Sequence, residues 1–401
     1  MDKFAQMPLL TPPARRTAPQ LFQDLAHGLT QMATLTSLIA ALMGGGFAAE
    51  AAGATAKAHK AAKNKSVKKV HDKAPQAFGE RADLMQFADE FAAQQQWDEA
   101  SRLRLREQLA QARSTPIVQR LIMPAAAGQA KDWQAYRARF VEPRRLQAGL
   151  KFWEQNADAL ARAEARFGVP AELIAGLIGV ETFYGQITGG FRVIDALATL
   201  SFDFPTGRSD RSPFFRNELA EFFKLCHREA LNPAEIKGSF AGAMGWPQFM
   251  PGSWNRYAID FDGDGRVDLI HNPADAIGSV ANYLAQQGWL PGLPTHFSLR
   301  MPADTQARAA LLTPDIKPSF SIPQLQALGA VPSEAALDHP GPLAVIELQN
   351  GTAAPSYWLG TDNFYALTRY NWSSYYAFAV IDLGRALAEL RKAAQQSAPA
   401  R

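Results

Sequence analysis

The chain has 401 residues, 47% of them hydrophobic, enough for one large core or two to three smaller ones. Its formal net charge of +3 comes from one stretch: "KAHKAAKNKSVKKVHDK", Lys57 to Lys73, holds seven lysines and one aspartate, and without that +6 the rest carries −3. The remainder thus has no global basic footprint, which argues against nucleic acid as a partner.

Residues 1–51 read as a leader. Leu35 to Met43 form a short apolar core, small residues follow, and Ala49-Glu50-Ala51 fits a small-x-small cleavage pattern. That core is too short for a comfortable membrane span. Export to the periplasm is therefore the main expectation, with an uncleaved N-terminal anchor as the alternative. The single cysteine, Cys226, cannot form an intramolecular disulfide and lies far from the leader, so no lipid-anchored N-terminal Cys is available; it reads as a small core residue. Residues 52–77 read as a basic flexible linker, rich in Ala and Lys and poor in large apolar side chains; a second reading lays it against an anionic polymer or membrane surface.

Helical periodicity then takes over. Phe78 to about Arg113 predicts helices with apolar residues at Leu84, Phe87, Phe91, Leu103, Leu105 and Leu109, punctuated by Pro116 and Pro124. A second block runs from Pro143 to Phe167, with Phe152 and Trp153 in its core pattern. "LIAGLIGVETFYGQITGG", Leu173 to Gly190, is a third, with Pro170 suited to its first turn and Gly185 as the expected stop. "PFFRNELAEFFKLCHREA" and "PADAIGSVANYLAQQGW" are two further amphipathic helices. From Pro291 the texture changes: "HFSLRM" and "LAVIELQNG" predict strands, Asn350-Gly351 a turn and "SIPQLQALGA" a short helix. The last segment returns to helix. The expected fold is α+β and mainly α, divided into a helical domain (78–150), a core (151–290), a small β domain (291–355), and a return to the core with a terminal helix (356–395).

Four segments stand out chemically. Glu181 falls on the same helix face as Leu177 and Ile178. A carboxylate there is either paired, with Arg192 as the obvious cation, or it is an acid whose proton is held by burial. "DFDGDGRVDLI" sets Asp260, Asp262, Asp264, Arg266 and Asp268 at positions one, three, five, seven and nine of a calcium-type loop, with Gly265 at the turn. Position twelve is His271 and not the usual Glu, and Asp275 is a substitute that the sequence alone does not place; a structural calcium or sodium and a plain Asp-stiffened turn both remain open. "GSFAGAMGWPQFMPGSW" interleaves glycines with Ser239, Gln248 and aromatics, which suits either close approach to a sugar or tight helix packing. "YWLGTDNFYALTRYNWSSYYAF" carries nine aromatics in 22 residues, with Asn371, Ser373 and Ser374 among them. Motifs of serine hydrolases, zinc proteases and phosphate-binding loops are missing.

"GVETFYG", "DALATLSF", "GSFAGAMGWPQFMPGSW", "DFDGDG", "DAIGSVANYLAQQGW" and "NFYALTRYN", in that order, resemble the lytic murein transglycosylase B family over about Phe78 to Leu390. The resemblance implies a lysozyme-like catalytic core with an elongated helical domain and a small β domain. It implies cleavage of the β-1,4 bond between N-acetylmuramic acid and N-acetylglucosamine in peptidoglycan, leaving 1,6-anhydromuramic acid ends. Glu181 is then acid and afterwards base, because the muramoyl 6-hydroxyl attacks its own anomeric carbon and no second carboxylate is needed. By the same resemblance Ser239, Gln248, Tyr283, Tyr370, Asn371 and Tyr376 line sugar subsites. Arg208 or Arg211, in the longer "PTGRSDRSPFF" segment, stands near the peptide stem. No cofactor is required for the chemistry, glycan strands are the partner, cell-wall synthesis proteins are further candidate partners, and a monomer is expected. The competing readings are a muramidase on the same scaffold and a peptidoglycan-binding scaffold without turnover.

Overall fold

The computed structural model describes residues 74–124 and 131–397, so the leader and the lysine-rich stretch lie outside the described residues. The end of the segment read as linker is not a linker: Gln76–Ala77 is a short strand paired antiparallel with Arg113–Ser114. Helices Ala82–Gln94 and Glu99–Gln111 follow, the second capped by Asp98, whose carboxylate accepts the Ser101 N–H at 2.8 Å. Their apolar side chains join one continuous core that runs from Leu84 to Leu387, so segment 78–150 shares the core of the segments after it.

Two helices build the centre of that core. Ala171–Thr182 is buried at nearly every position, and Ser374–Ser397 crosses it. Glycines set the crossing distance. A Cβ at Gly176 would fall 2.5 Å from the Val380 carbonyl oxygen, and one at Gly384 would fall 2.4 Å from that of Glu172. The backbones therefore touch where side chains would normally separate them by 8–10 Å.

The first of these helices stops at Thr182, three residues before the expected Gly185. Phe183 and Tyr184 both adopt left-handed φ, at 53° and 56°. Bulky side chains avoid that region, and packing overrides the preference: the Tyr184 hydroxyl is wedged where a Cβ on Gly149 or Gly179 would lie 2.4 or 2.5 Å from it.

Phe191–Arg192 and Lys237–Gly238 form a second short antiparallel pair, which brings the glycine-rich loop beside this helix end. There the Thr182 hydroxyl donates to the Trp246 carbonyl at 2.9 Å, and Met244 and Phe249 exchange two main-chain bonds. Helix Ser212–Arg228 buries Phe215, Phe222, Phe223 and the lone Cys226.

The β segment has its own small core of Leu299, Leu311, Leu325, Leu343, Val345 and Leu359. Its sheet has four antiparallel strands in the order Val331–Pro332, His296–Arg300, Ala353–Gly360, Ala344–Asn350. The strand Ala353–Gly360 crosses the boundary placed at residue 355, because Pro355 reads as a breaker. The ladder shifts register between Leu348 and Asn350, opposite Pro355, where a missing N–H is tolerated. Among the described residues no helix is long and apolar enough to cross a membrane.

Candidate active site

Glu181 is 4% exposed, and one carboxyl oxygen accepts the Tyr376 hydroxyl at 2.5 Å. Arg192 is not its partner. That guanidinium pairs with Asp195 at 3.4 Å and donates to the Ala234 carbonyl. Burial pushes the Glu181 carboxyl up to about 8, and the bond from Tyr376 offsets part of this. The group therefore keeps its proton at neutral pH, as an acid catalyst must.

Tyr376 belongs to an aromatic stack. The Tyr370 ring lies parallel to it at 6.3 Å, and Tyr283 meets Tyr370 edge-on at 4.9 Å. Each phenol has its own anchor: Tyr370 donates to the Pro247 carbonyl and Tyr283 to that of Arg369 at 2.7 Å. Gln248, held at φ 50°, donates its amide to the Gly245 and Thr188 carbonyls at 2.9 and 3.0 Å. The Ser239 hydroxyl accepts the Ala241 and Ala243 N–H groups at 3.3 and 3.0 Å, so these bonds leave its proton uncommitted. Asn371 is 1% exposed and both polar atoms of its side chain lack a partner. An orphaned buried amide costs about 1–3 kcal/mol, which a bound hydroxyl or carbonyl would recover.

Sequence reasoning missed Tyr136 and Arg145. The Tyr136 hydroxyl is buried without a hydrogen-bond partner, and the Glu181 charge adds to the burial that holds its proton on. Its helix, Trp133–Arg137, is tied to the terminal helix by Arg137 and Asp382 at 2.5 Å. Five residues show no periodicity, so nothing local marks this tyrosine. Arg145 donates to the Gly179 carbonyl at 3.0 Å, near the end of the Glu181 helix, and lies 4.8 Å over the Phe183 ring.

A family model described as "Transglycosylase SLT domain" matches residues 81–385. The chain is 41% identical over 322 residues to membrane-bound lytic murein transglycosylase B of Escherichia coli K12, covering 78% of this chain and 85% of the relative. The chain belongs to the lytic murein transglycosylase family. Three solved structures agree with it in fold. The E. coli lytic transglycosylase Slt35, in complex with bulgecin A, is 42% identical, with a TM-score of 0.68 over 76% of this chain and 92% of that one. A structure of Slt35 in complex with calcium gives 41% identity and 0.67 over 77% of this chain and 94% of that one. Soluble lytic transglycosylase SltB1 of Pseudomonas aeruginosa is 37% identical, with a TM-score of 0.70 over 77% and 99%. The protein is thus a peptidoglycan lytic transglycosylase with a mostly helical, lysozyme-like fold.

Two further clusters of the transglycosylase bear on the expectations. Arg211 is 2% exposed, its three guanidinium nitrogens have no hydrogen-bond partner, and it lies 4.8 Å over Phe214. Burial pushes it down to about 10, helped by the like charge of Arg208, which itself donates to the Ile122 carbonyl. In the aspartate loop, carboxylate oxygens of Asp260, Asp262 and Asp264 lie within 4.8 Å of one another. Asp268 does not join them: it accepts the Ile270 and His271 N–H groups and pairs with the His271 ring at 3.0 Å. Asp275 is fully buried and accepts the Phe261 and Asp268 N–H groups, both at 2.8 Å, which braces the loop from inside. The donor set that fits a hard cation is therefore the first three aspartates.

Proposed function

We propose that Glu181 carries the lytic reaction alone, first as acid and then as base. Protonated Glu181 gives its proton to the oxygen that leaves the muramoyl anomeric carbon. The resulting carboxylate takes the proton of the muramoyl 6-hydroxyl as that oxygen bonds to the same carbon, so the product ends in a 1,6-anhydro ring and no water is consumed. The observation that carries this is a buried carboxyl, bonded to the Tyr376 hydroxyl and held up to about 8 by burial, in a chain of the lytic transglycosylase family. A hydrolase of the two-carboxylate type would instead leave a reducing end. Mass spectrometry of products from purified murein sacculi tests it: muropeptides one water lighter than the reducing-end forms are expected, and full-mass reducing ends would mean a muramidase.

Tyr376 tunes the acid. Tyr376→Phe removes a hydrogen bond to the charged form, so the Glu181 carboxyl rises further. The alkaline limb of the rate profile, which needs the protonated acid, should move to higher pH, and the neutral-pH rate should fall about tenfold. An unmoved limb would separate Tyr376 from the acid.

Ser239, Gln248, Tyr283, Tyr370 and Asn371 are assigned to the glycan subsites, supported by the orphaned amide of Asn371 and the free hydroxyl proton of Ser239. Arg211, with Arg208 beside it, is assigned to the stem carboxylates, supported by its unpartnered guanidinium. The substrate places the enzyme in the cell envelope, where its membrane-bound relative works, and the leader reading sends it to the periplasm.

Asp260, Asp262 and Asp264, with the Arg266 carbonyl, are assigned a structural calcium, as Slt35 binds calcium and their carboxylates converge. Millimolar calcium should then raise Tm by a few degrees, because a ligand of the folded state alone adds RT ln(1 + [L]/Kd). Asp262→Asn should cancel most of the shift. An equal shift in both proteins would place the ion elsewhere.

A further inference from the structure

Glu218 is a buried carboxyl that the reaction above leaves unused. It sits on the inner face of helix Ser212–Arg228 and is 3% exposed. Both its oxygens face the first turn of helix Pro251–Tyr257. One accepts the Gly252 N–H at 2.8 Å, and a Cβ on Gly252 would stand 3.0 and 3.2 Å from the two. The missing side chain at Gly252 is what permits this approach.

Two charged groups face Glu218. The Arg256 guanidinium, on the helix of Gly252, favours the carboxylate, and Glu221, on its own helix, opposes it; burial, the largest effect, outweighs the Gly252 bond and Arg256 and pushes the carboxyl up to about 7. A leucine would fill the space with less desolvation but would orphan the Gly252 N–H. The rest of the short helix is held separately, through Asn255, which donates to Glu221 and accepts from Arg228. Glu218 alone of these reaches the first turn.

That turn is the exit of the glycine-rich loop. Three residues before Gly252 stands Phe249, tied to Met244 by main-chain bonds of 2.8 and 3.1 Å. Its ring packs against Tyr283 and Tyr370 at 5.7 and 5.8 Å, and Tyr370 stacks on Tyr376, which holds Glu181.

We propose that Glu218 is a positioning residue: by accepting the Gly252 N–H it pins the exit of the glycine-rich loop and so keeps Phe249 and the tyrosine stack in register with Glu181. The proposal rests on the assignment of Glu181 as the acid.

The test measures release of anhydro-ended products from soluble glycan strands by the full chain, with kcat and KM resolved and the pH profile recorded. Glu218→Gln keeps an acceptor oxygen and should hold kcat within about twofold. Glu218→Leu removes the acceptor and should lower kcat about tenfold at nearly constant KM. Its alkaline limb should move upward as the Tyr376 bond loosens. Gly252→Ala pushes the carboxyl away and should fall between the two. Glu218→Leu with wild-type kcat and only a lower Tm overturns the proposal, as does Glu218→Gln as slow as Glu218→Leu. Should Glu218→Leu fail to fold, Gly252→Ala decides, and wild-type kcat with an unmoved limb overturns it. Failure of the Glu181 assignment shows separately, as turnover retained by Glu181→Gln.

Discussion

Glu181→Gln is expected to lower turnover on murein sacculi by about 10³-fold, the scale of a lost general acid and base, while the folded chain gains stability at neutral pH. The second effect follows from the direction of the carboxyl's shift. In the folded state the group is held up to about 8, against 4.5 without the fold. The unfolded chain thus releases this proton first, and wild-type stability declines as pH rises from about 4.5 to about 8, by at most about 1.4 kcal/mol per pH unit. Glutamine has no proton to lose. The Tm advantage of the variant should therefore widen between pH 5 and pH 8 and stay constant above. Melting curves across that range check it. A constant difference would mean that the carboxyl ionises at its ordinary value, and one-tenth or more of wild-type turnover would remove Glu181 from the chemistry.

Gly384→Ala is expected to destabilise the protein by about 2 kcal/mol and to reduce activity more than the loss of folded molecules explains. The added methyl would sit 2.4 Å from the Glu172 carbonyl oxygen and 2.9 Å from its carbon. These are main-chain atoms, so no side chain can turn aside. Overpacking of this kind costs about 1–3 kcal/mol, and the gain in helix propensity of Ala over Gly, about 1 kcal/mol, offsets part of the upper figure. The helices must part or slide. One carries Glu181 and the other Tyr376, so the 2.5 Å bond between them is lost first. Gly176→Ala presses on the same contact from the other side, 2.5 Å from the Val380 carbonyl oxygen. Thermal melts and pH profiles of the two variants should agree in sign. A wild-type Tm in both would mean that the helices have room to spare.

The sequence shows Glu181 because a single charge on an apolar stripe violates the helical pattern, and that signal is local. It does not show which of the two explanations holds, since Arg192 is close in sequence yet faces Asp195. The helix stop differs from the expected one for a related reason. Gly185 has the right chemistry for a terminator, but the turn is made two residues earlier by Phe183 and Tyr184, under packing from Gly149 on another helix. Tyr370 and Tyr376 lie in a segment so aromatic that core and site look alike there, and only the ordered motifs of the family separate them. Tyr136 leaves no trace, because its helix is too short for a period and its docking depends on Asp382, 245 residues away from Arg137. The aspartate loop is legible in its first half. Its closing half is not, because the spacing points to position twelve, while the inward carboxylate is Asp275.

Cys226 gives the enzyme a chemical clock. Burial pushes this thiol up to about 12, so the thiolate that alkylating reagents attack is scarce in the closed molecule. With no other sulfhydryl in the chain, the rate of modification by a small maleimide reports one event, the exposure of Cys226 in the cleft where helix Ser212–Arg228 meets helix Glu99–Gln111. Each molecule that opens is marked once and permanently. Saturating the enzyme with glycan strands should slow the marking only to the extent that glycan binding and closure of this cleft are the same equilibrium.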